Sequence, residues 1–212
     1  AREQAKVTAC MSNARQLGNA WIMYANDNKG HLVFAETNDY LTGPDFRDGW
    51  VIDKLGDPNL NTAAAVRAGL LWKYCPAAET YRCPSSIDTA VYRSYSINTY
   101  INGTPSLLPA NKQPLKKLTQ VKAPRLVFIE EFDDRGVNSG SFLQFTNLNQ
   151  PIWGDTPAFY HKKGTVMCFA DAHCEYRIWA DSRTVKAKRA PDPNSAQPQN
   201  KDLYQLKVDC FG

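Results

Sequence analysis

Apolar residues recur every three or four positions from the start of the chain: Val7, Cys10, Met11, Ala14, Leu17, Trp21, Tyr24 and Ala25. That period is one stripe of an amphipathic helix, and Arg2, Glu3, Lys6, Asn13, Arg15 and Asn19 fall on the other side. The pattern predicts a helix over the first 28 residues, stopped by Asn26-Asp27-Asn28-Lys29-Gly30 with a glycine at its C-terminus. No capping residue precedes Arg2, so the helix reads as one that continues from an upstream part. Residues 31–68 are irregular, punctuated by Gly43-Pro44, Asp48-Gly49 and Asp57-Pro58, with a short strand at Trp50-Val51-Ile52. A second helix is expected from Asn61 to Tyr74, capped by Asn61 or Thr62 and presenting Val66, Leu70, Leu71 and Tyr74 on one face.

Further along, the period changes. Residues 105–124 hold four prolines and read as a surface crossing. Arg125 to Glu131 is a continuous apolar run closed by two glutamates, suited to a central strand. Ser141 to Phe145 is another candidate strand, and Thr165–Phe169 and Cys174–Trp179 flank a hairpin turn at Ala170-Asp171-Ala172-His173. With the turn centred on Asp171-Ala172, Cys168 would face Glu175 and Cys174 would face Phe169, leaving the two cysteines on opposite faces. Residues 187–202 read as a loose loop, and Leu203–Phe211 as a returning edge strand. The sum is an α+β fold: a long N-terminal helix (1–30) packed on an antiparallel sheet with extended loops, 31–212 forming the head of the same structural domain. Val7, Met11, Ala14, Leu17, Trp21 and Tyr24 are the expected helix–sheet contacts.

Composition narrows the function classes. At 43% hydrophobic and 22% charged, the 212 residues suffice for a full core. The net charge of +4 is small and spread along the chain, which argues against a nucleic-acid binder. No stretch of 18 apolar residues is present to span a membrane. Six cysteines, none in Cys-x-x-Cys spacing, favour disulfides in an oxidising compartment over free buried thiols, and permit fifteen pairings. Phosphate-binding glycine loops and a glycine-flanked nucleophile elbow are both absent.

Two groups could carry chemistry. Glu130, Glu131, Asp133 and Asp134, followed by Gly136, Asn138 and Gly140, read either as a solvated turn or as a loop offering the oxygens a hard cation such as calcium wants, without the spacing of an EF-hand. Glu130 and Glu131 are a poor acid/base pair, because neighbours on a strand point to opposite faces. The second group is His161, Asp171 and His173. Asp171 can satisfy turn amides while His161 packs behind the sheet, or these side chains can join in holding a metal.

The run Ala5-Lys6, Cys10-Met11-Ser12-Asn13, Gln16-Leu17-Gly18, Trp21, Tyr24-Ala25 and Asp27-Asn28-Lys29-Gly30 resembles the region just after the membrane segment of prepilin-type proteins. Gly69-Leu70-Leu71-Trp72, Tyr81-Arg82-Cys83-Pro84 and Ser94-Tyr95-Ser96-Ile97-Asn98 fit the same resemblance. His161-(x)9-Asp171-Ala172 is similar to the C-terminal His-x9-Asp-Gly motif of that group, with alanine in the glycine's place. Such proteins are related to type II secretion pseudopilins and type IV pilins. The resemblance implies a pilin-like fold and an envelope filament or type II secretion-like system, with no catalytic role. It also implies partners among other pilin-like subunits and secretion components. The membrane would be reached through a preceding apolar segment, cut by a prepilin peptidase, and the head would be periplasmic or extracellular. It implies calcium as a candidate ligand, and Cys10 and Cys83 as neighbours and a candidate disulfide. Two rival readings stand beside it. One is an envelope module that binds glycans or a secreted substrate through exposed Trp50, Trp153 or Tyr160; the other is an envelope hydrolase in which His161 meets two carboxylates in a cleft.

Overall fold

A computed structural model of the chain describes residues 2–37, 49–52, 62–87, 92–122, 124–131, 140–186 and 196–212. The first helix, α1, spans Arg2–Asp27 and buries Val7, Cys10, Ala14, Leu17, Gly18, Ala20, Trp21 and Ala25. Met11 and Tyr24, at the border of the stripe, are only partly buried. Its end is built as the sequence predicts. Lys29 and Gly30 take φ of 56° and 80°, and the Gly30 N–H closes on the Ala25 carbonyl at 2.8 Å. That satisfies a carbonyl the last helical turn leaves open.

The second helix, α2, covers Ala63–Ala68 alone and is capped by Thr62, whose hydroxyl accepts from the Ala64 N–H. It stops six residues short of the expected end: Gly69 takes extended backbone at φ −76°, ψ 155°, and runs so close to the backbone of Trp50 and Val51 that a side chain there has no room. Trp50-Val51-Ile52 is not a strand; Gly49 makes an isolated bridge with Phe34, and Trp50 packs into the core.

Five strands form one mixed sheet. They are β1 (Tyr95–Asn98), β2 (Leu126–Glu130), β3 (Ser141–Phe142), β4 (Gly164–Phe169) and β5 (Cys174–Ile178), in the order β3-β1-β2-β4-β5. The apolar run of β2 is central, as its composition requires. The expected all-antiparallel sheet is corrected at one edge, where β1 pairs with β3 in parallel. Between Leu126 and Phe128 the β2–β4 register shifts. Val127 and Phe128 both join the core beneath α1, while Leu126 and Ile129 face the other side. That is the signature of a β-bulge.

The C-terminal segment is the largest departure from expectation. Lys201–Phe211 is a helix, α3, not an edge strand. Leu203, Leu206, Cys210 and Phe211 are buried at helical spacing, and the Asn200 side chain accepts from the Asp202 and Leu203 amides. This helix packs with Leu126, Ile129, Phe142, Trp153, Met167, Phe169 and Trp179 on the sheet face opposite α1. Arg177 on β5 pairs with Asp209 on α3 and with Glu175 beside it. The architecture is α+β in three layers, helix–sheet–helix, and α1 lies across β2, β4 and β5.

The β4–β5 hairpin also differs from the expected register: Cys168 stands directly opposite Cys174. The Ala172 N–H bonds to the Phe169 carbonyl at 2.8 Å, and the Phe169 N–H to the His173 carbonyl at 2.9 Å. The loop therefore has an odd number of residues, ending in one left-handed position, Ala172 at φ 62°. A type I′ two-residue turn would need positive φ twice; this loop needs it once, so alanine is tolerated at a strain of about 1–2 kcal/mol.

Candidate functional site

Four side chains from four separate places in the chain converge beneath α1. Cys10 comes from the third turn of α1 and Cys83 from the Tyr-x-Cys-Pro segment. Glu130 is the last residue of β2, and His161 stands three residues before β4. One donor atom from each lies within 4.8 Å of the others, and all four residues are buried. Among the described residues, this is the one place where three or more His, Cys, Asp or Glu donors gather in this way.

The distances define a compact, oriented group. Cys10 Sγ and Cys83 Sγ are 2.7 Å apart, and Cys83 Sγ is 3.2 Å from His161 Nε2. The same nitrogen is 3.4 Å from Glu130 Oε1. Glu3, from the first turn of α1, reaches His161 Nδ1 at 3.1 Å. Glu130 Oε2 accepts the Val166 amide at 2.8 Å, whereas its Oε1 has no hydrogen-bond donor. Cys83 Sγ also accepts the Ser85 amide at 3.3 Å, a bond supplied by the Cys-Pro-Ser turn. Tyr95, fully buried, donates its hydroxyl to the Cys10 carbonyl at 3.3 Å, fixing the helix against β1.

The electrostatics follow from that packing. Burial alone would drive the His161 imidazole down, but Cys83 and Glu130 outweigh it and hold it up at about 10. The Cys10 thiol is pushed up first by its contact with Cys83 and then by burial and the Glu130 charge. The Cys83 thiol moves the opposite way, lowered by the same contact and by His161 and the Ser85 amide, against its burial. Both His161 and Glu130 have fully buried side chains, whereas the Glu3 side chain is 38% exposed. A closed pocket of two sulfurs, an imidazole and a carboxylate favours a cation, whether a proton on His161 or a metal among the four donors.

The other candidate residues sit elsewhere. Asp133 and Asp134 lie outside the described residues, as does most of the oxygen-rich loop. Glu130 and Glu131 diverge: Glu131 turns away to accept from the Ser96 hydroxyl. Calcium is not indicated, since sulfur ligands do not suit a hard cation. Asp171 is in the exposed hairpin turn, accepting the His173 amide at 3.1 Å and meeting His173 Nδ1 at 2.5 Å. Burial costs that carboxyl something, but the bonds from His173 win and hold it below the usual range. His161 precedes β4 and Asp171 follows it, so a strand of about 20 Å separates their ends.

Cys10 and Cys83 are the sequence-selected pair that the fold brings together. All six cysteines are buried thiols in the structure, and Cys168 and Cys174 make a second adjacent pair. Of the aromatic residues considered for ligand stacking, Trp50 and Trp153 are fully buried. Trp50 stacks on Tyr81 at 6.1 Å, and half-buried Tyr160 donates to the Glu131 carbonyl at 3.3 Å. An open groove beside the end of α1 is instead lined by Tyr24, Arg67, Trp72, Lys73 and Tyr74.

Glu130 and Glu3 were not selected for this site in the sequence, and no spacing motif joins them to His161. The one usable signal was the alternation along β2, which separates Glu130 from Glu131. Compared with protein-family models, curated proteins and solved structures, the chain matches none.

Proposed function

We propose that this chain is a pilin-like structural subunit of a cell-envelope filament or a type II secretion-like system, acting by assembly. The observation that carries the reading is α1. It is a 26-residue amphipathic helix laid across β2, β4 and β5 with its apolar stripe buried, while its far side is open along its whole length. Its first turn is exposed apart from Glu3, so the helix is a rod held to the head along one face and open along the other. Such a rod suits packing into a shared helical core, with the head decorating the surface. No described helix is long and apolar enough to cross a membrane; in this reading the membrane contact belongs to a segment preceding α1.

Expression of the full-length gene with a prepilin peptidase tests this. The expected result is a cleaved, membrane-associated protein that enters sheared filament fractions. Site-specific cross-links between exposed α1 positions of neighbouring copies should form there. A full-length product with no apolar span of roughly 20 residues before α1, or one that stays monomeric after cleavage, overturns it.

The groove at Tyr24, Arg67, Trp72 and Tyr74 favours a second reading, an envelope module that binds a glycan or secreted substrate. Aromatic faces beside a guanidinium are what sugars stack upon. Protection of those residues on titration with cell-wall oligosaccharides would support it. A hydrolase reading is weaker: His161 does meet two carboxylates, Glu3 and Glu130, but inside a closed core that a substrate cannot reach.

A further inference from the structure

The four-donor cluster has a geometry that a staple of two cysteines alone would not need. His161 is oriented from outside: its Nδ1 is held by the Glu3 carboxylate at 3.1 Å, which leaves Nε2 aimed at Cys83 and Glu130. A carboxylate on one ring nitrogen with the other turned inward is the arrangement that positions metal-ligating histidines. Glu130 is oriented in the same way. Its Oε2 is tied to the Val166 amide, and Oε1, fully buried and without a hydrogen bond, faces His161 Nε2 at 3.4 Å. Cys83 Sγ takes an amide N–H from Ser85, a bond that favours thiolate over thiol.

We propose that Cys10 Sγ, Cys83 Sγ, His161 Nε2 and Glu130 Oε1 bind one divalent zinc-class metal ion. The ion would be four-coordinate and closed, and would serve as a structural pin between α1 and the sheet. The donor set decides the class. Two thiolates and an imidazole suit a borderline-soft ion, and one carboxylate completes a tetrahedron. One of the distances already matches and a second is within about 0.4 Å. Bond lengths of about 2.0–2.3 Å place tetrahedral N and O ligands about 3.4 Å apart and N and S ligands about 3.6 Å apart. The structure has 3.4 Å for His161–Glu130 and 3.2 Å for Cys83–His161. The two sulfurs, at 2.7 Å, would have to open by about 1 Å.

Binding releases protons: each cysteine gives up its thiol proton and the imidazole becomes neutral, with no electron transferred. Two thiolates and one carboxylate around a dication leave a single net negative charge, which the Ser85 and Val166 amides face. The complete burial of His161 and Glu130 leaves no open coordination position, which places the ion among structural rather than catalytic sites. It would join α1, the Tyr-x-Cys-Pro segment, β2 and the approach to β4 at one point. This proposal is independent of the filament reading, since it concerns the head alone.

The test uses the untagged chain, purified under reducing conditions and analysed by elemental mass spectrometry. One equivalent of zinc per chain is expected. After exchange with Co²⁺, the visible bands of tetrahedral coordination and near-ultraviolet thiolate charge transfer should appear. Cys10→Ser and Cys83→Ser should lose the stoichiometric metal, and Glu130→Gln should keep the thiolate bands but hold the ion at least tenfold more weakly. Cys75→Ser and Cys210→Ser should bind as the parent does. Chelation should lower the melting temperature of the parent but not of Cys83→Ser. Loss of a buried thiol can by itself impair folding of the cysteine variants, so the cobalt spectrum of the unaltered chain stands by itself: octahedral or absent bands overturn the proposal. So does metal-free protein from its native compartment in which peptide mapping finds a Cys10–Cys83 disulfide, or retention of zinc by the double cysteine variant.

Discussion

Gly18 lies where α1 crosses the β4–β5 hairpin, and replacing it with alanine sets two effects of known size against each other. A glycine inside a helix gives up about 1 kcal/mol relative to alanine, so Gly18→Ala should stabilise the chain if nothing stood nearby. Something does. The added methyl would lie 2.6 Å from Cys168 Sγ, and 3.5 Å from the Ala172 Cβ. The second is ordinary contact; the first is an overlap that a neighbour must relieve. Cys168 stands on β4, held between β2 and β5 and opposite Cys174, so its sulfur has little freedom to swing aside. Overpacking of this kind costs about 1–3 kcal/mol, and the constrained strand places the cost in the upper half of that range. The net expectation is a loss of about 1–2 kcal/mol, or about 2–8 °C in melting temperature for a chain of this size.

The decisive arm is a second background. In Cys168→Ala the overlap disappears, and Gly18→Ala should reverse sign and stabilise by about 1 kcal/mol. Equilibrium urea denaturation of the four proteins, with reductant present throughout, measures both numbers and their coupling. Gly18→Ala that is at least as stable as the parent, or that carries the same penalty with and without Cys168, refutes the packing argument.

Other expectations are simpler. Ala172→Gly should stabilise by about 0.5–1 kcal/mol, since glycine removes most of the left-handed strain while adding back some chain entropy; thermal melts against the parent decide it. Asn200→Ala should cost about 1 kcal/mol through loss of the α3 cap, and Leu206→Ala, fully buried, about 2–5 kcal/mol. Urea midpoints unmoved by either would mean that α3 is not docked. Lys207 is buried against the Asn147 and Gln150 carbonyls, and burial lowers its amine from an ordinary 10.5 to about 8. Between those values the unfolded chain binds more protons than the folded one, so stability owed to this residue rises with pH over that window. Lys207→Met should therefore be most stabilising, relative to the parent, below about pH 8, with the advantage shrinking towards pH 10; a difference independent of pH refutes it.

The sequence and the structure agree where one strong period runs long enough to average out local noise. Helix α1 repeats its stripe for seven turns and is bounded by Lys29-Gly30, so both its face and its end could be read. The β2 run could be read because five consecutive buried residues need cover on both faces, and a central strand supplies it. Helix α3 was misread for a complementary reason. Its eleven residues alternate enough polar positions to mimic an edge strand, and its polar interruption, Lys207, is a buried residue whose stem packs as an apolar one would. The hairpin register turned on a single count, whether the loop holds two residues or three, and one left-handed alanine decides it. The site was the least legible part. Cys10, Cys83 and His161 stand out only through the resemblance to prepilin-type proteins. Glu130 belonged to an acidic cluster in sequence, and no spacing rule links four donors that only tertiary packing brings together.

The bulge at the start of β2 has a consequence for that site. Strict alternation from Leu126 would turn Ile129 and Glu131 towards α1 and leave Glu130 on the far side with Leu126. The extra residue shifts the strand by one half-step, so Glu130 enters the sulfur pocket and Glu131 goes to Ser96. It works as a reading frame for the strand, choosing which of two identical neighbouring side chains meets Cys10 and His161. Deleting Val127 would remove only the extra residue, so alternation from Leu126 would run unbroken and still turn Phe128 and Glu130 towards α1; straightening the strand with every residue kept would deliver Glu131 to the pocket instead.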